Sequence, residues 1–364
     1  MKIIDKYILS KYLITFFFCL LLFTAIVVVV DISEKTDDFS ISKLSFYRIM
    51  VDYYFGFIPR IDAMLFPLFV FISVIFFTSK MAGRSEIIAI LSSGVNYRRF
   101  ILPFLWGGFI LAGILWLGYR YVVPDANRKW ADFSIKYIDV NTGMVNINTS
   151  YKQNVYFKLD QSSYLGIKSY DTISKTGNNL FVQKFKNEKL IYNLRATNFN
   201  WDTASKKWKL TNVSERYFND SAETVLHSDD KLMNYNFKPL DLRRDDYLKD
   251  QMRTPDLDDF IKKERDREEG NLGPLLVERY NRDAIPASVI ILTIIGAVMA
   301  SRKVRGGSGA HIAIGVVLSM FYILLSRFSS VFATKGNFPP LLAAWIPNIL
   351  FGLLAIYLYR RGAK

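Results

Sequence analysis

Residues Gly83–Phe100 read GRSEIIAILSSGVNYRRF, a short amphipathic stretch between two long apolar runs. Arg84, Ser85 and Glu86 precede the apolar run Ile87–Leu91; Ser92, Ser93 and Gly94 stop it, and Arg98 and Arg99 follow. A charged helix of this size at a membrane surface has two uses. It lies in the interface as a passive anchor, or it is a handle gripped by another protein. The residues leave both open, and the choice decides whether the chain is an anchor or a moving part.

Outward from this stretch the chain segregates its charges from its apolar residues. It has 364 residues, 51% hydrophobic and 15% aromatic. Charge-free runs span Tyr12–Val30, Ala63–Ser79, Phe100–Tyr119, Ala284–Ser301, Gly306–Ser326 and Gly336–Tyr359. A bilayer core needs roughly 20 apolar residues per helix, so six spans are expected, three on each side of a long polar insert. The first run is long for a signal peptide and passes from Val27–Val30 straight into Asp31 without a small-residue cleavage site, so a retained helix is expected. Asp31–Lys43 reads as a polar loop. The single cysteine, Cys19, lies in the first run, which excludes an intrachain disulfide.

Net charge is +14, yet residues 124–283 carry 27 Lys/Arg against 25 Asp/Glu. The surplus therefore sits at helix ends, which argues for a membrane surface and against nucleic acid as partner. One set of ends carries Lys2, Lys6, Lys11, Lys80, Arg84, Arg98, Arg99, Arg302, Lys303, Arg305, Arg360, Arg361 and Lys364, against only Asp5 and Glu86. The loop 31–62 has four basic and six acidic residues. By the positive-inside rule both termini and the Gly83–Phe100 stretch are cytoplasmic, and the insert lies outside the membrane.

The insert alternates apolar and polar residues in Asn154–Leu159, Tyr164–Ser169, Leu180–Phe185, Lys189–Phe199, Lys207–Val213 and Lys231–Phe237. Turn-rich pieces separate them at Lys175–Asn179 and Asp202–Lys206. Period-two patterning of this kind predicts an antiparallel sandwich, jelly roll or open barrel. Thr254–Asp258 then reads as the start of a surface helix running to Arg267. Expected domains are 1–123, with a helix over about 84–97; 124–270, the β domain with a connecting helix; and 271–364.

Charged residues within or beside the spans are the candidate ligand contacts. Arg60 and Asp62 flank the second span, either as a snorkelling pair or as the lining for an anionic headgroup. Arg327 follows the fifth run and needs a partner or an anionic ligand. Glu278, Arg279, Arg282 and Asp283 crowd the start of the fourth. No catalytic set is present: His227 and His311 are isolated, no Cys/His spacing suits a metal, and the glycine-rich Arg305–Gly309 lacks the lysine of a phosphate loop. No cofactor is implied. Any nucleotide-driven step belongs to another chain.

Together these pieces resemble the lipopolysaccharide-export permeases of the LptF/LptG (YjgP/YjgQ) family over the whole chain. The resemblance rests on Asp5-Lys6-Tyr7-Ile8, Arg84-Ser85-Glu86 with Ser93-Gly94, Val277–Pro286 and Phe338-Pro339-Pro340. Asn200–Val213 and the last two segments look more like LptG. The resemblance implies a membrane α-helical fold of six transmembrane helices (3+3) with an inserted periplasmic all-β jelly-roll-like domain, in the bacterial inner membrane. It implies a permease subunit of an ABC exporter, not itself an ATPase, working with a cytoplasmic LptB-like ATPase dimer. A second permease (LptF-like or a copy of this chain), LptC/LptA-like periplasmic bridge proteins, membrane lipids and lipopolysaccharide complete its partners. Arg84, Ser85, Glu86, Ser93 and Gly94 would form the ATPase-coupling stub; Lys35, Arg60 and Arg327 would meet lipid A phosphates. Some members carry basic residues near the end of span one where this chain has Asp31, Asp37 and Asp38. A non-transporting periplasmic sensor or scaffold is the competing reading.

Overall fold

The computed structural model describes residues 2–42, 44–138, 151–160, 162–171, 174–186, 189–203, 205–219, 222–235, 237, 239, 248–266, 272–301, 307–336 and 338–362. Arg302, Lys303, Arg305 and Lys364 lie outside them.

Six helices are long and apolar enough to cross a membrane. They are α1 (Ile3–Ser42), α2 (Phe46–Gly83), α4 (Tyr97–Ile138), α7 (Gly273–Ala300), α8 (Gly307–Lys335) and α9 (Pro340–Gly362). The stub α3 (Glu86–Ser92) lies between α2 and α4. The short α5 (Leu248–Gln251) and α6 (Thr254–Asp266) follow the β-strands. Pro340 opens α9, where a missing N–H costs no helical hydrogen bond.

Two helices run beyond the expected limits. Of the expected loop Asp31–Lys43, residues 31–42 are helical, because α1 continues to Ser42; Lys43 lies outside the described residues. At 40 residues α1 is about 60 Å long, twice the hydrocarbon thickness. Its far turns are stabilised by one stripe at spacing four: Asp31 is buried, Lys35 pairs with it at 3.6 Å, and the Phe39 ring packs against Tyr53, Tyr54 and Phe133. Likewise residue 124 does not open the β insert, since the helix runs on through Val123–Phe133.

The chain forms two compact units: residues 1–133 with 249–258 and 273–364, and residues 134–248 with 259–272. In the first, α2 and α7 are central, with 61% of each apolar window buried, against 6% for α1 and 22% for α8. Tyr12 reaches from α1 into this core: its ring covers Gly107, where a Cβ would come within 2.5 Å, and its hydroxyl is 3.0 Å from Thr293 Oγ1.

In the second unit, six strands form one antiparallel sheet in the order β1-β2-β3-β4-β5-β6. They are β1 (Tyr151–Asp160), β2 (Ser163–Asp171), β3 (Thr176–Lys186), β4 (Lys189–Asp202), β5 (Lys207–Asn219) and β6 (Ala222–Met233). Among the described strands this is an up-and-down meander, without jelly-roll crossovers. Its core gathers around Trp208, whose indole N–H donates to the Phe237 carbonyl at 3.0 Å. Thr176–Asn179 belongs to β3 instead of a turn, and the last strand lies earlier than its alternation suggests.

One line crosses the whole sheet. Asn154, Lys168, Asn179, Thr197, Asn212 and Asp229 are skipped in mid-strand without a change of register, apart from separate shifts at Lys158/Asp160 and Lys184/Phe185. Across it, successive core residues are three apart instead of two: Ile167 and Tyr170, Ala196 and Phe199, Leu210 and Val213. Asn179 and Asn212 have left-handed φ values of 53° and 57°, the bulge conformation that re-aims a strand. These six skipped positions align, so the sheet is creased along a line across which the register holds.

Candidate functional site

One end of the helical unit is organised around α3. Ser85, just before it, has φ 60°, and Gly94, just after it, has φ 86°. The left-handed conformation is unfavourable for serine and natural for glycine, so two sharp reversals fix a seven-residue helix between two long ones. Ser92 and Ser93 hydroxyls donate back to the Ala89 and Ile90 carbonyls at 3.1 and 2.7 Å, closing its last turn. Asn96 caps α4, its Oδ1 accepting from the Arg98 N–H at 3.1 Å. Ile87 is buried, whereas Ile88 is exposed.

Glu86 is not an isolated tip charge. Arg84 Nη1 lies 3.8 Å from its carboxylate, and the Tyr7 hydroxyl, from α1, donates to it at 3.3 Å. Nearby, the Arg99 guanidinium donates to the buried Asp5 carboxylate. Tyr97 reaches Ser301, just past the end of α7, at 3.3 Å and packs on the Tyr359 ring of α9. The expected residues Arg84, Ser85, Glu86, Ser93 and Gly94 are thus one local unit. Tyr7, Asp5 and Arg99 were not expected in it: sequence separations of 79 and 94 residues hide both contacts.

The three expected headgroup cations are distributed differently. Arg60 and Arg327 line one cavity of about 200 Å³ in the helical unit, with Tyr119, Asn127, Asp250 and Glu278. Arg60 also stacks over the Trp130 ring at 3.6 Å, while Asp62 accepts from Thr24 at 2.7 Å. Arg327 is exposed. Burial pushes the Asp250 carboxyl above the usual range, against the pull of Lys249, Arg60, Arg282 and Arg327. Lys35 is absent from that lining. It is held by Asp31 and donates to the Tyr53 hydroxyl, and the hydroxyls of Tyr53 and Tyr54 complete the Asp31 shell at 3.2 and 3.0 Å.

Arg282 is the most fully engaged cation among the described residues. It is 3% exposed and donates to Glu278 (2.9 Å), the Met252 carbonyl (2.8 Å), Thr254 Oγ1 (3.2 Å) and the Lys249 carbonyl (2.9 Å). Arg279 pairs with Asp258 and Asp283, each at 2.7 Å. The charge crowding at the start of α7 is therefore a lock on the returning chain. Among the described residues no cluster of His, Cys, Asp and Glu suits a metal ion.

Six apolar helices in two sets of three, an inserted antiparallel sheet and a rigid stub between the second and third spans define a polytopic membrane protein with an extramembrane β unit. The chain belongs to the LptF/LptG family: the model described as "Lipopolysaccharide export system permease LptF/LptG" matches residues 6–361. That match does not separate LptF from LptG. No curated protein matches the chain.

Proposed function

We propose that this chain is the transmembrane subunit of an ABC exporter that extracts lipopolysaccharide from the inner membrane and passes it to a periplasmic bridge. The observation carrying this reading is α3 itself: a seven-residue helix held between two left-handed residues, with Glu86 at its first position and Ile88 exposed. Such a stub suits docking into a groove on a cytoplasmic ATPase dimer. Its rigidity turns closure of that dimer into movement of α2 and α4. A passive interfacial anchor needs no fixed reversals at both ends.

In this reading both termini face the cytoplasm and the β unit faces the periplasm, where its edge strands extend toward bridge proteins by strand addition. Residues 1–133, 249–258 and 273–364 form the membrane part, and 134–248 with 259–272 the β domain. The weakly buried α1 and α8 face lipid or a second permease, a relative or a copy. Arg60 and Arg327 receive lipid A phosphates, and Lys35 contributes through the Asp31–Tyr53 cluster.

The test is copurification in mild detergent, comparing the natural chain with Glu86→Arg. Reversing the charge should weaken ATPase association at least about tenfold, equivalent to about 1.4 kcal/mol, while monodispersity and the helical signal are retained. Undiminished association together with undiminished lipid export would sink the reading.

A further inference from the structure

The start of α1 is not needed for a stub that merely docks, yet it grips that stub from both sides. Tyr7 donates to Glu86 at the first position of α3, and Asp5 pairs with Arg99, five residues beyond Gly94. Asp5 is 6% exposed and also accepts from the Lys2 backbone N–H at 2.7 Å. A carboxylate so buried is costly without its cation, so Asp5 and Arg99 hold α1 and the stub's exit together.

Between its ends α1 is the least embedded of the six long helices, with only 6% of its apolar window buried. Among the described residues its polar cross-links to other helices there join Tyr12 to Thr293, Thr24 to Asp62, Asp31 to Tyr53 and Tyr54, and Lys35 to Tyr53. Residues 3–42 also contain neither glycine nor proline. Proline lies within α2, α4, α7 and α9, and Gly309 and Gly315 within α8. Sharp helix kinks arise at such residues, and α1 alone among the six long helices has none of them. From Asp5 to Asp31 it spans about 39 Å.

We infer that α1 is a transmission rod. Asp5, Tyr7 and Arg99 are positioning residues that fasten it to the ATPase-facing stub, and at the far end Asp31 delivers the movement to Tyr53 and Tyr54 of α2. This rests on the proposed docking role of α3 and adds the path by which docking reaches the opposite face. Movement of α3 draws Arg99 and Glu86, hence the start of α1. A stiff helix pinned at Asp31 passes that displacement on.

The test uses the full chain, reconstituted with the ATPase and second permease it copurifies with, in liposomes containing lipopolysaccharide. The readout is ATP hydrolysed per lipid released. Asp5→Asn and Arg99→Gln should each raise that ratio about tenfold with ATPase association unchanged, and the exchanged pair Asp5→Arg with Arg99→Asp should recover at least part of the loss. A second variant avoids the buried pair: Ala25→Gly with Ile26→Gly softens an exposed part of α1 and should raise the ratio while leaving both clamps in place. The rod is wrong if the glycine pair and the Asp5 and Arg99 variants all keep the natural ratio while Glu86→Arg loses the ATPase. If Glu86→Arg keeps both association and export, the docking reading fails instead.

Discussion

At the scale of single residues, Arg282 shows how a charge at a membrane boundary becomes structural. Its guanidinium has four acceptors, two of them carbonyls of the segment that returns the chain to α7. Replacing it with methionine leaves Glu278 without its charge partner and the Lys249 and Met252 carbonyls without this donor. Breaking a buried pair in this way costs about 3–5 kcal/mol. Arg282→Lys keeps the charge but not the fork geometry, so it should recover only a minority of the loss. Both variants should elute aggregated at a lower temperature in a size-exclusion melting series in detergent. A melting temperature equal to that of the natural protein would mean that the return segment is held by packing alone.

At the scale of elements, the β unit depends on alignment between strands. The Phe181 ring lies over Gly166 on the neighbouring strand, where an added Cβ would fall 2.2 Å from a ring carbon. The ring covers the gap that glycine leaves. Gly166→Ala should therefore destabilise the unit by about 1–3 kcal/mol, the usual cost of overpacking. Gly166→Ala combined with Phe181→Leu should cost less than the two changes summed, as measured by urea titration of tryptophan fluorescence. Strict additivity would show that the ring moves aside freely. The strands themselves were legible, because alternation around Leu165, Leu194 and Leu210 follows the pleat. The crease was not: each offset of three resembles a local irregularity until the register places Lys168, Asn179, Thr197 and Asn212 on one line. The extended end of α1 was missed for a related reason. Composition over Asp31–Lys43 reads as loop, whereas the spacing of Asp31, Lys35 and Phe39 is helical and gains its meaning from Tyr53 and Tyr54, which pack against it. For the same reason the stub was visible as a motif, while its clamps were not, since they join residues far apart in the chain.

At the scale of the whole molecule, the proposed function commits to a single orientation. Three of the six candidate spans precede the β unit and three follow it; in the proposed topology α3 and the two chain ends share one side and the strands the other. The basic residues flanking α3 support a cytoplasmic position for that side by the positive-inside rule. Cys19 is the only cysteine and lies within α1, so Cys19→Ala gives an unreactive background in which single cysteines report sidedness. Ser93→Cys at the exposed end of α3 and Thr224→Cys on the exposed β6 suit this purpose. In intact spheroplasts a membrane-impermeant maleimide should label Thr224→Cys and leave Ser93→Cys unmodified. Once the inner membrane is breached, both should react. Labelling of Ser93→Cys in intact spheroplasts would reverse the orientation and move α3 away from ATP. The docking role of Glu86 and the rod built on it would then both fall, whereas the packing of Tyr12, Arg282 and Trp208 would stand unchanged.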